Sequence, residues 1–204
     1  MDDLIGGYRR FRDVSWPDHR AVFEGLAARG QKPETFIVAC SDSRVDPQMI
    51  FSAGPGELFV ARNVANLVPP YQPDANYHGT SAALEFAVNV LHVKKVVVMG
   101  HAQCGGVTAL LKGAPPGAQD FVAPWMTIAE PARHATLAAN LPTDERQRFC
   151  EHCCIKLSLR NLRSFPWVAE RVQSGHLTLH GAYFGVATGR LELLDAAGDF
   201  TAVD

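Results

Sequence analysis

The chain has 204 residues, 47% of them hydrophobic, and a formal net charge of −2 at neutral pH. That length and apolar content suffice for one compact domain with a sizeable core, and the near-neutral balance argues against polyanion binding or an acidic interaction tail. No apolar run approaches the ~20 residues that span a bilayer, and MDDLIGGYRRFRD lacks the basic and apolar regions of a secretory leader, so a cytoplasmic protein is expected.

In chain order, the segment Leu4–Ala28 carries Tyr8, Phe11, Val22, Phe23 and Leu26 at spacings that predict one or two amphipathic helices. Such an arm can pack on its own domain or on a partner subunit. Phe36–Cys40 reads as a buried parallel strand, and Leu58-Phe59-Val60, after the turn Gly54-Pro55-Gly56, as another. A Pro-rich loop over 68–78 leads to a helix in which Leu84, Val88 and Leu91 share one face, with Thr80 or Ser81 as its expected cap. Val96–Met99 predicts the next strand, with a helix starting near Val107 and a loop over 112–124. Residues 144–173 are helical in pattern, Ile155, Leu159 and Leu162 being in step and Pro166 marking a bend or a new start. Leu177–Leu179 within HLTLHG closes the series of strands. This alternation predicts an α/β fold: a central, mostly parallel β-sheet flanked by helices, one domain over 1–204 with residues 1–30 as an N-terminal helical arm.

Five cysteines (Cys40, Cys104, Cys150, Cys153, Cys154) make an odd count, which argues for reduced thiols, some of them bound to metal, and against a disulfide framework. Strand Val96–Met99 runs into GHAQCGG, so His101 and Cys104 fall in a short loop before a helix, while Cys40 ends another strand. Sites in open α/β sheets form just beyond the carboxyl ends of strands. If those two strands are neighbours, two thiols and an imidazole converge, a set that suits Zn²⁺ and leaves a fourth position open for water or substrate. Taken singly, a His-x-x-Cys is more often coincidence, and a Cys closing a strand is usually a small buried hydrophobe.

In CSDSRVD, Asp42 and Arg44 lie two residues apart, so in extended chain they share one face and can pair bidentately. An Arg-held Asp stays ionised, and beside a metal that lowers the pKa of water from ~15.7 to near 7 it can take that water's proton. Two other readings stand beside this one: a pair that only pins a loop, or Asp42 as a metal ligand that closes the site. Elsewhere, Cys150, Cys153 and Cys154 would share a helical face able to bind a soft ion, although buried helical Cys mostly packs. His176 and His180 read as structural polar contacts at a sheet edge. A buried Arg62 would require a carboxylate partner.

CSDSRV at 40–45, followed 61 positions after Cys40 by the histidine of GHAQCGG, closely resembles the β-class carbonic anhydrases. So do GQKPETFIVACSDSRV, PGELFVARNVANLVPPY, EFAVNVLHVKKVVVMGH, FVAPWMTIAEPA and the tail from Cys150 through HLTLHGAYF, which together cover nearly the whole chain from about Gly30. The resemblance implies zinc held by Cys40, His101 and Cys104, an Asp42–Arg44 dyad, and reversible hydration of carbon dioxide to bicarbonate and a proton by water activated at the metal. It implies a homodimer, able to pair into a homotetramer, with sites at the subunit interface. Gln31, Phe59, Val64, Phe86 and Gly105 correspond to the substrate pocket of the plant-like branch, where Phe86 replaces a usual tyrosine and removes one polar contact. Ile37 and Ala39 stand where the bicarbonate-regulated branch has tryptophan and glycine, so an open site with Asp42 on Arg44 is expected. Ser41 and Ser43 are expected to be structural, and Asp46 receives no role. The rival functions are hydrolysis of carbon disulfide or carbonyl sulfide on the same fold, and noncatalytic bicarbonate binding.

Overall fold

In the computed structural model, residues 1–74 and 76–203 are described. Ala75, inside the expected 68–78 loop, and Asp204, the end of the expected 1–204 domain, lie outside them. The N-terminal arm is helical throughout: α1 (Asp2–Arg10), a π-helical turn over Phe11–Ser15, and α2 (Trp16–Arg29). None of the described residues of α1 or α2 is buried, and Leu4 and Val14 are 72% and 69% exposed. The arm meets the body where Leu26 lies against Gly56. That glycine has φ +85°, and a Cβ there would approach Leu26 Cδ2 to 2.7 Å, so both its conformation and its lack of a side chain are used.

The sheet is built from β1 (Thr35–Cys40), β2 (Leu58–Asn63), β3 (Lys95–His101), β4 (Thr178–Phe184), β5 (Leu191–Leu194) and β6 (Phe200–Ala202), in spatial order β2-β1-β3-β4-β5-β6. The first four are parallel, and the last two add antiparallel strands at one edge. The expected mostly parallel α/β sheet is thus present. The β5–β6 hairpin has no counterpart among the apolar runs because its strands are short and half-exposed.

Alternate side chains of β1 and β3 serve opposite faces. Phe36, Val38, Val96 and Val98 pack in one layer with Leu84 and Val88, which follow from α4 (Gly79–Glu85) into a π-helical turn over Phe86–Val90, and with Ile155 and Leu162. Ile37, Ala39 and Met99 face the other way, toward Ile50 of the short α3 (Pro47–Ile50) and Leu191. Each large side chain buried this way contributes on the order of 1.5–3 kcal/mol.

Helix α4 begins at Gly79 with no side-chain cap bond, and the Thr80 hydroxyl instead accepts from Asn63 Nδ2 at 3.1 Å. The expected Thr80 or Ser81 cap is replaced because a neighbouring strand end claims that oxygen. After α5 (Gly105–Lys112), the expected loop over 112–124 ends early in α6 (Val122–Met126), followed by α7 (Glu130–Ala138). The 144–173 stretch divides into α8 (Thr143–Leu162) and α9 (Pro166–Gln173), with Pro166 starting the second helix.

Helix α8 lies over β3 and β4, and Gly100 makes this close approach possible: a Cβ there would come within 2.7 Å of Ile155 Cδ1. Gly100→Ala is therefore expected to destabilise the protein by ~1–3 kcal/mol through overpacking. Urea unfolding of the purified variant against the parent measures this.

Candidate metal centre

Cys40 ends β1 and His101 ends β3, and these strands pair in parallel with Ala39 opposite Met99. Their carboxyl ends are therefore adjacent. Cys104 follows three residues after His101 as the N-cap of α5, with the left-handed Gln103 (φ 58°) turning the chain back toward Cys40. One ligand atom from each of Cys40, His101 and Cys104 falls within 4.8 Å of the others, and the two sulphurs are 3.9 Å apart. All three residues are buried.

His101 Nδ1–H donates to the Ala102 carbonyl at 2.9 Å, which leaves the Nε2 lone pair directed inward. Nε2 is buried and has no hydrogen-bond partner. An imidazole lone pair in that state beside two thiols fits a soft or borderline cation such as Zn²⁺. The Cys40 sulphur is prepared for negative charge. The Cys104 thiol donates to Cys40, and with His101 and the backbone N–H groups of Asp42 and Ala65 it draws the Cys40 pKa down to about 4. With Cys40 ionised, that contact and burial push the Cys104 thiol up. The N–H groups of Gly106 and Val107 at the start of α5 also point to the Cys104 sulphur.

The Asp42–Arg44 pair is present, with Nε donating to Oδ1 at 2.9 Å and Nη2 to Oδ2 at 2.7 Å. Its backbone differs from the extended form read from the spacing. Arg44 N–H donates to Asp42 Oδ1 at 3.0 Å and Val45 N–H to the Asp42 carbonyl at 3.2 Å, so the two residues meet across a tight turn closed by the Asp side chain. The Arg44 guanidinium holds the Asp42 carboxyl well below the usual carboxylate range. Arg44 Nη2 also donates to the Gln103 carbonyl at 3.1 Å, tying the loop after Cys40 to the loop before Cys104. Asp42 Oδ2 lies 3.9 Å from His101 Nε2.

Arg62 and Asp46 hold this loop from below, which the sequence alone did not reveal. Arg62 donates to the carbonyls of Cys40 (2.9 Å) and Asp42 (2.6 Å) and to Asp46 Oδ2 (3.1 Å). Asp46 caps α3 through Gln48 N and Met49 N. Arg62 is exposed, so the condition of burial under which a carboxylate partner was required is not met, and its pair with Asp46 is a solvent-accessible one. Ser41 and Ser43 are exposed.

Glu151, also missed, is 3% exposed and accepts hydrogen bonds from Cys104 N–H (2.9 Å), Gln147 Nε2 (2.8 Å) and Tyr183 OH (2.8 Å). Burial raises its pKa against these donors. A signal was available: Glu151 lies four residues before Ile155, in phase with the apolar face of α8. Its neighbours Cys150 and Cys154 are buried and Cys153 is half-buried, and among the described residues the three do not form a metal-ligand group. All five cysteines, each among the described residues, are free. His176 and His180 bond to Ser174 and Thr178, as their structural reading requires.

The expected substrate-pocket residues separate into two sets. Val64 and Gly105 flank the metal cluster: Val64 follows Asn63, which registers with Cys40, and a Cβ at Gly105 would face open space. Gln31, Phe59 and Phe86 lie toward the opposite end of the strands, where Phe59 registers with Phe36 and its ring lies tilted against Phe86 with centroids 5.8 Å apart. Four residues of strand, about 13 Å, separate Phe59 from Asn63. A single chain does not bring the two sets together. An open groove of about 890 Å³ shares Asn63 and Val64 with the centre but includes none of Cys40, Asp42, His101 and Cys104.

Comparison with known proteins gives a concordant result. The family profile described as carbonic anhydrase matches residues 35–191. A carbonic anhydrase of Pseudomonas aeruginosa is 40% identical over 204 residues, covering 97% of this chain and 89% of that protein. The chloroplastic β carbonic anhydrase 5 of Arabidopsis thaliana is 38% identical over 187 residues, 90% of this chain, and the match spans 61% of that relative's length. Among solved structures, the β-carbonic anhydrase CcaA superimposes with a TM-score of 0.91 at 34% identity, covering 100% of this chain and 92% of that one.

Removing the Arg62 clamp is expected to loosen the first ligand loop. Arg62→Ala should lower stability by about 2 kcal/mol, since its three contacts include one to a carboxylate and two to loop carbonyls. Chemical denaturation of the variant measures the change.

Proposed function

The chain belongs to the β-class carbonic anhydrases, and on that premise we propose that it catalyses the reversible hydration of carbon dioxide to bicarbonate and a proton. The observation that carries this reading is the unpartnered, inward-directed His101 Nε2 between the Cys40 and Cys104 sulphurs, with an ionised Asp42 beside it. Cys40, His101 and Cys104 would hold zinc, and all 204 residues would serve one domain. When bound, zinc supplies the Lewis acidity that lets water attack carbon dioxide at neutral pH.

The remaining steps fall to the side chains. Asp42 Oδ1 is occupied twice by Arg44, while Oδ2 accepts once and keeps a lone pair facing the ligand cluster. That atom is placed to accept a hydrogen bond from the attacking water, which turns a lone pair of the water oxygen toward the substrate carbon. Arg44 keeps the carboxylate ionised and off the ligand set, which favours the open form. Val64 and Gly105 give an apolar, unobstructed approach suited to a small uncharged substrate. Gln31, Phe59 and Phe86 would complete the pocket from a second copy, with the unburied arm α1–α2 embracing that partner. The assembly is accordingly a homodimer, with pairing to a homotetramer open to it. We place it in the cytoplasm, in keeping with five free thiols and with no described helix long and apolar enough to cross a membrane.

Asp42→Asn should reduce stopped-flow CO₂ hydration by about a hundredfold or more while leaving zinc content at one per chain. Consumption of carbon disulfide or carbonyl sulfide without CO₂ hydration by the parent protein would overturn the substrate assignment. A crystal structure of the zinc-loaded protein near pH 8 should show Asp42 on Arg44, and an Asp42 oxygen at zinc-ligand distance, about 2.0–2.2 Å, would overturn the open form.

A further inference from the structure

Each of the three cluster residues is held in place differently. Cys40 and His101 end strands and are paired there with Asn63 of β2 and Phe184 of β4, and His101 is further oriented by the Ala102 carbonyl. Cys104 lies outside the sheet, supported on its C-terminal side by the first N–H groups of α5, while its own N–H has no partner in a strand or in that helix. It follows a left-handed residue and is itself extended (φ −67°, ψ 120°) at the start of α5, so the direction of its side chain depends on how its peptide groups are oriented.

Those peptide groups are gripped by α8. Glu151 Oε1 accepts from Cys104 N–H, and Gln147, one turn earlier, donates through Nε2 both to Glu151 Oε1 and to the Cys104 carbonyl at 3.1 Å. The Thr108 hydroxyl bonds to the same carbonyl and to Gln147 Oε1. Glu151 is fixed from its other side by Tyr183 OH on β4. Burying a carboxyl group here is unfavourable unless donors meet its oxygens, and an apolar residue at 151 would leave the Cys104 N–H unpaired inside the protein. The proposed reaction steps do not use this carboxylate.

We propose that Glu151, braced by Gln147 and Tyr183, is a positioning residue that fixes the Cys104 peptide and hence the Cys104 sulphur in the metal centre. The inference rests on the reading of Cys40, His101 and Cys104 as the ligand set. The role is that of an acceptor for the Cys104 N–H, so an amide oxygen can perform it.

The test uses the full chain with two probes, zinc and Co(II). Zinc affinity is read by competition with a chromogenic chelator, and sulphur ligation by the thiolate-to-cobalt charge-transfer bands. Glu151→Ala should lower zinc affinity by about ten- to a hundredfold and alter those bands while circular dichroism remains native. Glu151→Gln should restore most of the affinity and the parent spectrum. Unchanged affinity and bands in a folded Glu151→Ala overturn the proposal, as does an equal loss in Glu151→Gln, which would show that acceptor geometry is not the operative property. If Glu151→Ala does not fold, Gln147→Ala decides: a smaller loss in the same direction supports the clamp, and an unchanged affinity and spectrum overturn it. A parent protein that binds neither ion would instead overturn the ligand set itself.

Discussion

Parallel pairing of β1 with β3 in one fixed register is the constraint on which the centre depends. With Ala39 opposite Met99, the sheet delivers Cys40 and His101 to the same rim. A one-residue slip would turn every side chain of one strand to the other face, exchanging Ile37 and Ala39 for Phe36 and Val38 between two packed layers. The apolar alternation that fills those layers therefore also fixes the relative positions of a thiol and an imidazole 61 residues apart. Core packing and site geometry follow from the same pattern here.

Around that rim the polar groups connect as a network. Arg62 holds the Cys40 and Asp42 carbonyls and is met by Asp46, which caps α3. Arg44 joins the Asp42 turn to the Gln103 carbonyl, and Glu151 with Gln147 joins the next residue to α8. Two loops that lack regular backbone bonds are thereby given fixed partners on rigid elements, the condition under which a buried polar cluster stays ordered.

Much of this was legible in the sequence because it rests on local pattern. The runs at Phe36–Cys40 and Val96–Met99 are strands because they are apolar, β-branched and bounded by polar residues, and the ligands sit where those runs stop. The backbone of Asp42–Arg44 was misread, because a spacing of two fits both an extended segment and an Asx turn, and only the bond from Arg44 N–H distinguishes them. The partner of Arg62 and the function of Asp46 depend on contacts between segments 16 residues apart. Glu151 was obscured by the cysteines around it. Its burial is evident only from its phase with Ile155, and its link to Cys104 spans 47 residues and a crossing of helix over strand. Gln31, Phe59 and Phe86 could be located along the chain, but no pattern within one copy reveals which end of another copy they would approach.

The order of these segments along the polypeptide has a kinetic meaning. The first donor of the cluster is residue 40, the other two are residues 101 and 104, and the side chain that braces the last support is residue 183 on β4. During synthesis from the N-terminus, Cys40 is exposed long before the strand carrying Tyr183 exists. The three donors come together once β1 pairs with β3, but the Cys104 peptide gains its full brace only when α8 and β4 have been added, because Tyr183 holds Glu151. The last support of the cluster is thus completed by the part of the chain that is synthesised last, so the order of the sequence makes the rigidity of this rim a property of the finished protein.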